Sequence, residues 1–400
     1  MKRILRIGFG LFIHSIIPIL CWIILSLIEG EKGISNTFSI IYPIQFVLTI
    51  LVLMFGSGAN IRKEKDKVDN STYNGIFWGT IFSIIIYSLL VIFVDNYITF
   101  FGQDVEFYRI YVIYGIALMF LQTLFSLFIE KLYFEDKEKT ANIHLLAFNL
   151  INFVFLTISA LIFSNRIIPL ILTLSALLIY VIALYFWQMK KFKITFDFLK
   201  SFRYESASII SGIFMFVIYF FGFKNAFIAN PEYIVALNLS GLCTDSQWDC
   251  LGAIKTATKV DIAKNRFEYS KASKQAMLFT LIMILTSILM IIVLYFVYDV
   301  NIGILLIYAL FQYVNMLLFD YYIILLIYTQ IQYSPILSTT VNLIAKAIRV
   351  ILSIIILSPF CTSIAQLSEG VGCFIVFIII RFCVYKVKEG KLYIKNRDNI

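Results

Sequence analysis

Twelve long apolar runs, separated by short polar breaks, dominate this chain of 400 residues. About 20 such residues suffice to carry a helix across the hydrocarbon core of a bilayer. The runs fall near 7–28, 36–57, 75–94, 108–130, 141–163, 167–188, 206–223, 232–256, 275–298, 302–328, 336–358 and 370–385. Inside a bilayer every backbone N–H and C=O must find its partner within the protein, so runs of this length are read as helices. Hydrophobic residues make up 61% of the chain and charged residues 14%, whereas a soluble domain carries about 25% charged residues. That composition excludes an ordinary soluble enzyme, a disordered tail and a disulfide scaffold. The expected fold class is an all-α polytopic membrane protein of about 12 transmembrane helices.

The net charge of +9 is explained by where the cations sit, without invoking nucleic acid. Of the 33 Lys and Arg, 25 fall in the alternate segments 1–6, 59–74, 131–140, 189–205, 259–274, 329–335 and 386–400. The opposite loops hold only Lys32, Arg166 and Lys224. By the positive-inside rule both termini are expected in the cytoplasm, and the protein in the cell membrane. The first run follows Lys2, Arg3 and Arg6 and is long enough to span, so no cleaved signal is expected. Six cysteines lie scattered without a CxxC pair, and His14 and His144 are the only histidines. Neither a metal site nor a bound cofactor is therefore expected.

A repeat with a period near half the chain is visible. Gly56-Ser57-Gly58-Ala59 runs into a basic loop from Asn60, and Ala253-Ile254-Lys255-Thr256-Ala257-Thr258 runs into another from Lys259. Ile61 and Ile262, Lys63 and Lys264, and Lys65 and Arg266 align at an offset of 201. Asn149-Leu150-Ile151 recurs as Asn342-Leu343-Ile344. Two parallel repeats of six spans place a site at the interface between halves. The expected division is an N-terminal lobe 1–188, a basic linker 189–205 and a C-terminal lobe 206–400.

These two span-to-loop junctions, with Val235-Ala236-Leu237-Asn238 and the loop Glu135-Asp136-Lys137-Glu138-Lys139-Thr140, resemble the MATE (multidrug and toxic compound extrusion) family. That family lies within the multidrug, oligosaccharidyl-lipid and polysaccharide exporter superfamily. The resemblance implies twelve helices in two pseudo-symmetric six-helix bundles, forming a V around a central cavity open alternately to either side. It also implies export of organic solutes in exchange for protons or sodium.

Ionisable residues inside a span cost about 2.5–3.5 kcal/mol at a helix centre and mark ion or substrate paths. In the eighth span Asp245 and Asp249 stand at i, i+4 on one helix face. Two carboxylates this close in low dielectric cannot both ionise freely, which suits them to proton coupling or to holding sodium. Asp320, counted back from Ser334-Pro335, falls near the place where one MATE subgroup carries a coupling carboxylate. The sequence departs from the family in the first span, which offers His14 and Ser15 in place of an acid. It departs again in the seventh, where Ser206, Ser208 and Ser211 follow Glu205. Asp245, Asp249 and Asp320 are the candidate ion-coupling residues. Asn238, Gln247, Trp248, His14, Gln312, Asn315, Lys346 and Arg349 are the candidate substrate-binding residues. Lys255, Lys346 and Arg349 are the intramembrane cations. Facing the cavity they would neutralise Asp245, Asp249 or Asp320 and hand over to an anionic substrate; the alternative of snorkelling to the interface suits Lys255 better than the other two. Arg381, near the end of the last span, is expected to snorkel as well. Pro18 and Pro43 sit within the first two spans, where a missing N–H permits bending.

No G-x-x-x-x-G-K-[ST], H-E-x-x-H or G-x-S-x-G occurs, so neither P-loop ATP hydrolysis nor two common hydrolytic chemistries are encoded. The leading expectation is a secondary transporter, not an enzyme, that exports amphipathic organic molecules by proton- or sodium-coupled antiport. It would act as a monomer whose partners are a small organic substrate and the lipid bilayer. A lipid-linked oligosaccharide flippase is the alternative, favoured by Lys346 and Arg349, since a pyrophosphate needs buried cations. A membrane transferase using Asp245 and Asp249 is a third reading, which the repeat disfavours.

Overall fold

The computed structural model describes residues 2–30, 34, 36–190, 192–229, 231–297, 302–355 and 361–395. Within its helices the side chains of 231–243 and 245, among a few others, lie outside the described set. Twelve long helices follow the twelve apolar runs. They are α1 (Lys2–Glu29), α2 (Thr37–Asp66), α3 (Ser71–Ile92), α4 (Val105–Phe134), α5 (Glu138–Ile162) and α6 (Ile167–Gln188). The second half holds α7 (Ser206–Ala229), α8 (Pro231–Ala263), α9 (Tyr269–Val297), α10 (Ile302–Tyr328), α11 (Pro335–Ile355) and α12 (Cys361–Cys383). Among the described residues ten helices are long and apolar enough to span a membrane by themselves. An eleventh span is counted when the 3-10 segment Asp197–Tyr204 is joined to Ser206–Gly222 across an 83° bend. The helix outside that count is α8, whose interior carries Asp245, Asp249, Lys255 and Lys259. Its 33 residues at 1.5 Å each run for about 50 Å, long enough to cross, and of its described charges Asp249, Lys255 and Lys259 turn into the bundle.

The packing divides by halves. In the first, α1 lies on α5, α5 on α6, and α3 on α4; in the second, α7 lies on α11, α8 on α10, and α10 on α12. Two seams join the halves, α1 against α8 and α2 against α7. Outward faces stay aliphatic, with Leu161, Ile179 and Leu289 more than 60% exposed, as a lipid-facing surface requires.

Pseudo-symmetry is written in side-chain contacts. Asn142 of α5 donates to the Arg6 carbonyl of α1 at 2.7 Å, and Asn342 of α11 donates to the Ala207 carbonyl of α7 at 2.5 Å. The offsets of 200 and 201 carry the register of the basic loops through each half. The match of Asn149 with Asn342, at an offset of 193, is therefore out of register. Asn149 instead places its amide 3.0 Å from the His14 ring. Lys67 and Asn265 both close the ends of α2 and α8 in the left-handed region, at φ 59° and 56°.

Helix α2 is not uniform. A 3-10 turn at Tyr42–Ile44 surrounds Pro43, and a π turn at Val52–Ser57 precedes Gly58. Proline removes one ladder hydrogen bond, and π turns recur where a helix carries function. Beyond α12 the chain forms a feature that hydropathy did not disclose, a β-hairpin of Tyr385–Lys388 with Lys391–Ile394. Its turn residues Glu389 and Gly390 both have positive φ, as a two-residue hairpin turn demands. Tyr385 shares a 2.8 Å hydrogen bond with Thr329, fixing the hairpin under the end of α10. Arg381 donates to the Tyr385 carbonyl there.

Candidate functional site: a charged central cavity

Between the halves lies a cavity of about 440 Å³. From the first half it receives His14 and Ser15 of α1, Tyr42, Gln45 and Phe46 of α2, and Glu130 of α4. From the second come Tyr219 of α7, Trp248, Asp249 and Lys255 of α8, and Asn315 and Phe319 of α10. Lys346 and Arg349 of α11 and Glu369 of α12 complete the wall. Every helix of the two seams contributes, so any separation of the halves changes this cavity.

The charges are arranged in three groups. Asp249 accepts a 2.7 Å hydrogen bond from Ser15 across the α1–α8 seam. Glu205, fully buried at the head of α7, lies 2.7 Å from Lys259 and accepts a 2.6 Å hydrogen bond from Ser57. Glu369 is gripped by two cations, Lys346 at 2.5 Å and Arg349 at 2.8 Å. Burying such charges is costly; Glu205 and Glu369 meet it by pairing with cations, Asp249 by hydrogen bonding to the Ser15 hydroxyl. Aromatic rings wall the remainder: Tyr219 stands 4.9 Å from Tyr42 and stacks on Phe46 at 5.1 Å. Trp248 meets Phe319 edge to face.

The sequence candidates separate on this geometry. Asp249, Trp248, His14, Asn315, Lys346 and Arg349 reach the cavity. Gln312 stands behind it, accepting the Trp248 indole N–H at 2.8 Å. Gln247 is fully buried and points its amide at Met290 of α9, away from the cavity. Asp320 also lies outside the lining, buried on the side of α10 that faces Thr280 of α9. The side chains of Asp245 and Asn238 lie outside the described residues. Among the described side chains Lys346 and Arg349 pair with Glu369, and neither Asp249 nor Asp320 is their partner. Lys255 does not snorkel to the interface but lines the cavity, its ammonium 5.0 Å from the Phe319 ring centre. Sequence reasoning missed Glu369, Glu130 and Lys259. Glu369 stands at the edge of the last apolar run, behind the polar Gln366 and Ser368, where nothing in the sequence set it apart from a loop residue. A Cβ at Gly370 would lie 2.0 Å from Asn315 Oδ1, so glycine lets α12 and α10 close on each other beside the triad.

No family model and no curated protein matches this sequence. Solved structures do. A MATE in the straight conformation superposes with a TM-score of 0.69 at 16% identity over 95% of each chain. The outward-facing conformation of a multidrug resistance MATE family transporter of the MOP superfamily matches with a TM-score of 0.69, at 16% identity over 94% of each chain. A MOP superfamily transporter from Pyrococcus furiosus, whose binding pocket is described as reversed in polarity, suggesting a different function, gives 0.67. It shares 15% identity over 94% of this chain and 93% of that one. The fold is that of the MATE transporters: an all-α, multi-pass membrane protein of two pseudo-symmetric six-helix bundles.

Proposed function

We propose that the protein is a secondary active transporter that exports amphipathic organic molecules by alternating access, exchanging them for protons or sodium. The supporting observation is the cavity between the halves, whose walls are aromatic and apolar with a few charges. Such walls suit an organic molecule with one polar end. Asp249 is the coupling carboxylate in this reading, because its partner Ser15 stands across the α1–α8 seam. A cation bound there senses whether the seam is closed. Lobes 1–188 and 206–400 are the moving units, with 189–205 as their connection. The ends bearing both termini face the cytoplasm of a cell-membrane protein, in keeping with the 25 cations on that side. The protein works as a monomer without a bound cofactor.

A flippase for lipid-linked sugars is the second reading, favoured by three cations on the cavity wall, Lys255, Lys346 and Arg349. The deciding experiment is gradient-driven transport of a panel of fluorescent amphipaths, cationic and anionic, in everted vesicles. Wild type is expected to need a proton or sodium gradient, and Asp249→Asn to lose at least tenfold in coupled rate while still binding. Wild-type silence across the whole panel, with movement of a lipid-linked sugar, overturns the exporter reading.

A further inference from the structure

The cations around Arg349 outnumber the carboxylates that hold them. Lys346 and Arg349 share a single partner, Glu369. Arg349 gives Nη1 to that carboxylate and is also within reach of the Tyr219 hydroxyl, while its Nε and Nη2 have no well-aligned acceptor. The residue is only 2% exposed, so water does not serve those donors freely. A buried guanidinium with two idle donors is costly, and its planar fork matches carboxylate, sulfonate or phosphate oxygens. Lys255 adds a third positive charge. Among the described residues no carboxylate lies within 4 Å of its ammonium, which rests over Phe319. Beside this cluster stands the ring group of Tyr42, Phe46 and Tyr219, and the Arg349 guanidinium lies 5.8 Å from the Tyr219 ring centre.

From these contacts we propose that the cavity selects amphipathic organic anions, whose charged group docks on Arg349, Lys346 and Lys255 by displacing Glu369. The apolar body of the ligand packs on Tyr42, Phe46 and Tyr219. Glu369 is then a built-in stand-in for the substrate. It neutralises the cations when the cavity is empty and gives way when an external anion arrives. This inference rests on the transporter reading and names the substrate class of the same cavity. Nothing in it depends on which ion drives the cycle.

The test is equilibrium binding to the purified full-length protein in a nonionic detergent, with no gradient present. The probes are 1-pyrenesulfonate, anionic at every working pH, and a pyrenyl trimethylammonium of the same size. Wild type is expected to prefer the sulfonate by tenfold or more. Arg349→Gln is expected to lose at least tenfold in sulfonate affinity, and Lys255→Met several-fold. Glu369→Gln is expected to bind the sulfonate several-fold more tightly, since the internal competitor is gone; a purely structural acid gives no such gain. If Glu369→Gln fails to fold with two uncompensated cations, the double variant Lys346→Met, Glu369→Gln removes one charge of each sign. It should retain sulfonate binding through Arg349. Competition by phosphatidic acid in mixed micelles assigns the anion to a lipid headgroup, and its absence to a soluble solute. Preference of wild type for the trimethylammonium probe, or unchanged sulfonate affinity in folded Arg349→Gln, overturns the proposal. Because binding is read without transport, a failed efflux experiment and a failed anion site remain separate results.

Discussion

Asp136, in the loop between α4 and α5, gathers three cations from two distant places in the chain. Its carboxylate lies 2.8 Å from Lys264 and 2.9 Å from Arg266, and pairs also with Arg3. Its backbone sits in the left-handed region at φ 60°, a conformation that aspartate tolerates better than most residues. Burial opposes its ionisation, but hydrogen bonds from Arg266 and Lys264 and the charge of Arg3 outweigh it, bringing the group down to about 2. A depressed carboxylate of this kind stabilises the fold above the unfolded value near 3.9, and the contribution is lost as pH falls through about 2. Stability from this cluster is thus fully present from about pH 5 upward. Asp136→Asn is expected to lower the melting temperature at pH 7 and to narrow the gap from wild type as pH falls from 4 to 2. Thermal unfolding in detergent across that range checks it, and a pH-independent difference would count against the assignment. The loop's sequence had marked it as conspicuous, but not which cations it would meet, since Arg3 and Lys264 are 133 and 128 residues away.

Elements were legible to different depths. The helices were legible as apolar runs, because a bilayer leaves an apolar run of 20 residues almost no other structure, with α8 the faintest of them for the charges it carries. Which face each helix turns inward was much less legible. Asp320 sits in a helix that is apolar on nearly every side, so no polar stripe announced that it turns toward Thr280 and not to the cavity. Glu369 and its two cations lie on different helices, and no local spacing encodes that contact. Close helix approach is another feature that sequence only hints at. A Cβ on Gly75 of α3 would stand 2.2 Å from the Phe55 carbonyl and 2.6 Å from the Ala59 side chain of α2. Because the obstacle includes backbone, the helices must move apart. Gly75→Ala is expected to destabilise by about 1–3 kcal/mol, as overpacking does. Gly372→Ala in α12, where a Cβ meets nothing within 4 Å, is expected to be neutral or to stabilise by about 0.5–1 kcal/mol through helix propensity. Denaturation of both variants in one detergent checks the contrast. Equal effects would mean that α2 and α3 are not held so tightly.

At the scale of the whole molecule, the end bearing the termini is fastened by two ion pairs, one across each seam. Arg3 at the head of α1 reaches Asp261 at the foot of α8 at 2.5 Å, and Arg203 just before α7 reaches Asp66 at the foot of α2 at 2.7 Å. The two arginines are 200 residues apart, in the register of the repeat, whereas their aspartates are 195 apart and out of it, so each seam has its own carboxylate for a shared arginine position. Between them Lys65 meets Asn265 at 3.4 Å, again 200 residues apart. Beneath the latches Ile61, Phe134, Tyr204, Val260 and Ala263 form an apolar seal. An exposed pair such as Arg203–Asp66 contributes about 0–1 kcal/mol, whereas Arg3 also holds Asp136 and Glu138 and is worth more. For alternating access these contacts must break once per cycle, so they have to be individually weak and collectively sufficient. Removing both arginines, as Arg3→Ala with Arg203→Ala, is expected to shift the equilibrium toward opening at this end by about tenfold, the equivalent of 1.4 kcal/mol. A cysteine at the cavity residue Ser211, in a chain whose exposed Cys383 is replaced by serine, reports the opening. Its labelling by an impermeant maleimide from the terminal side should rise about tenfold in the double variant, and less in either single one. Equal labelling in wild type and double variant would place the gate in the apolar seal alone, leaving the latches as anchors for the loops.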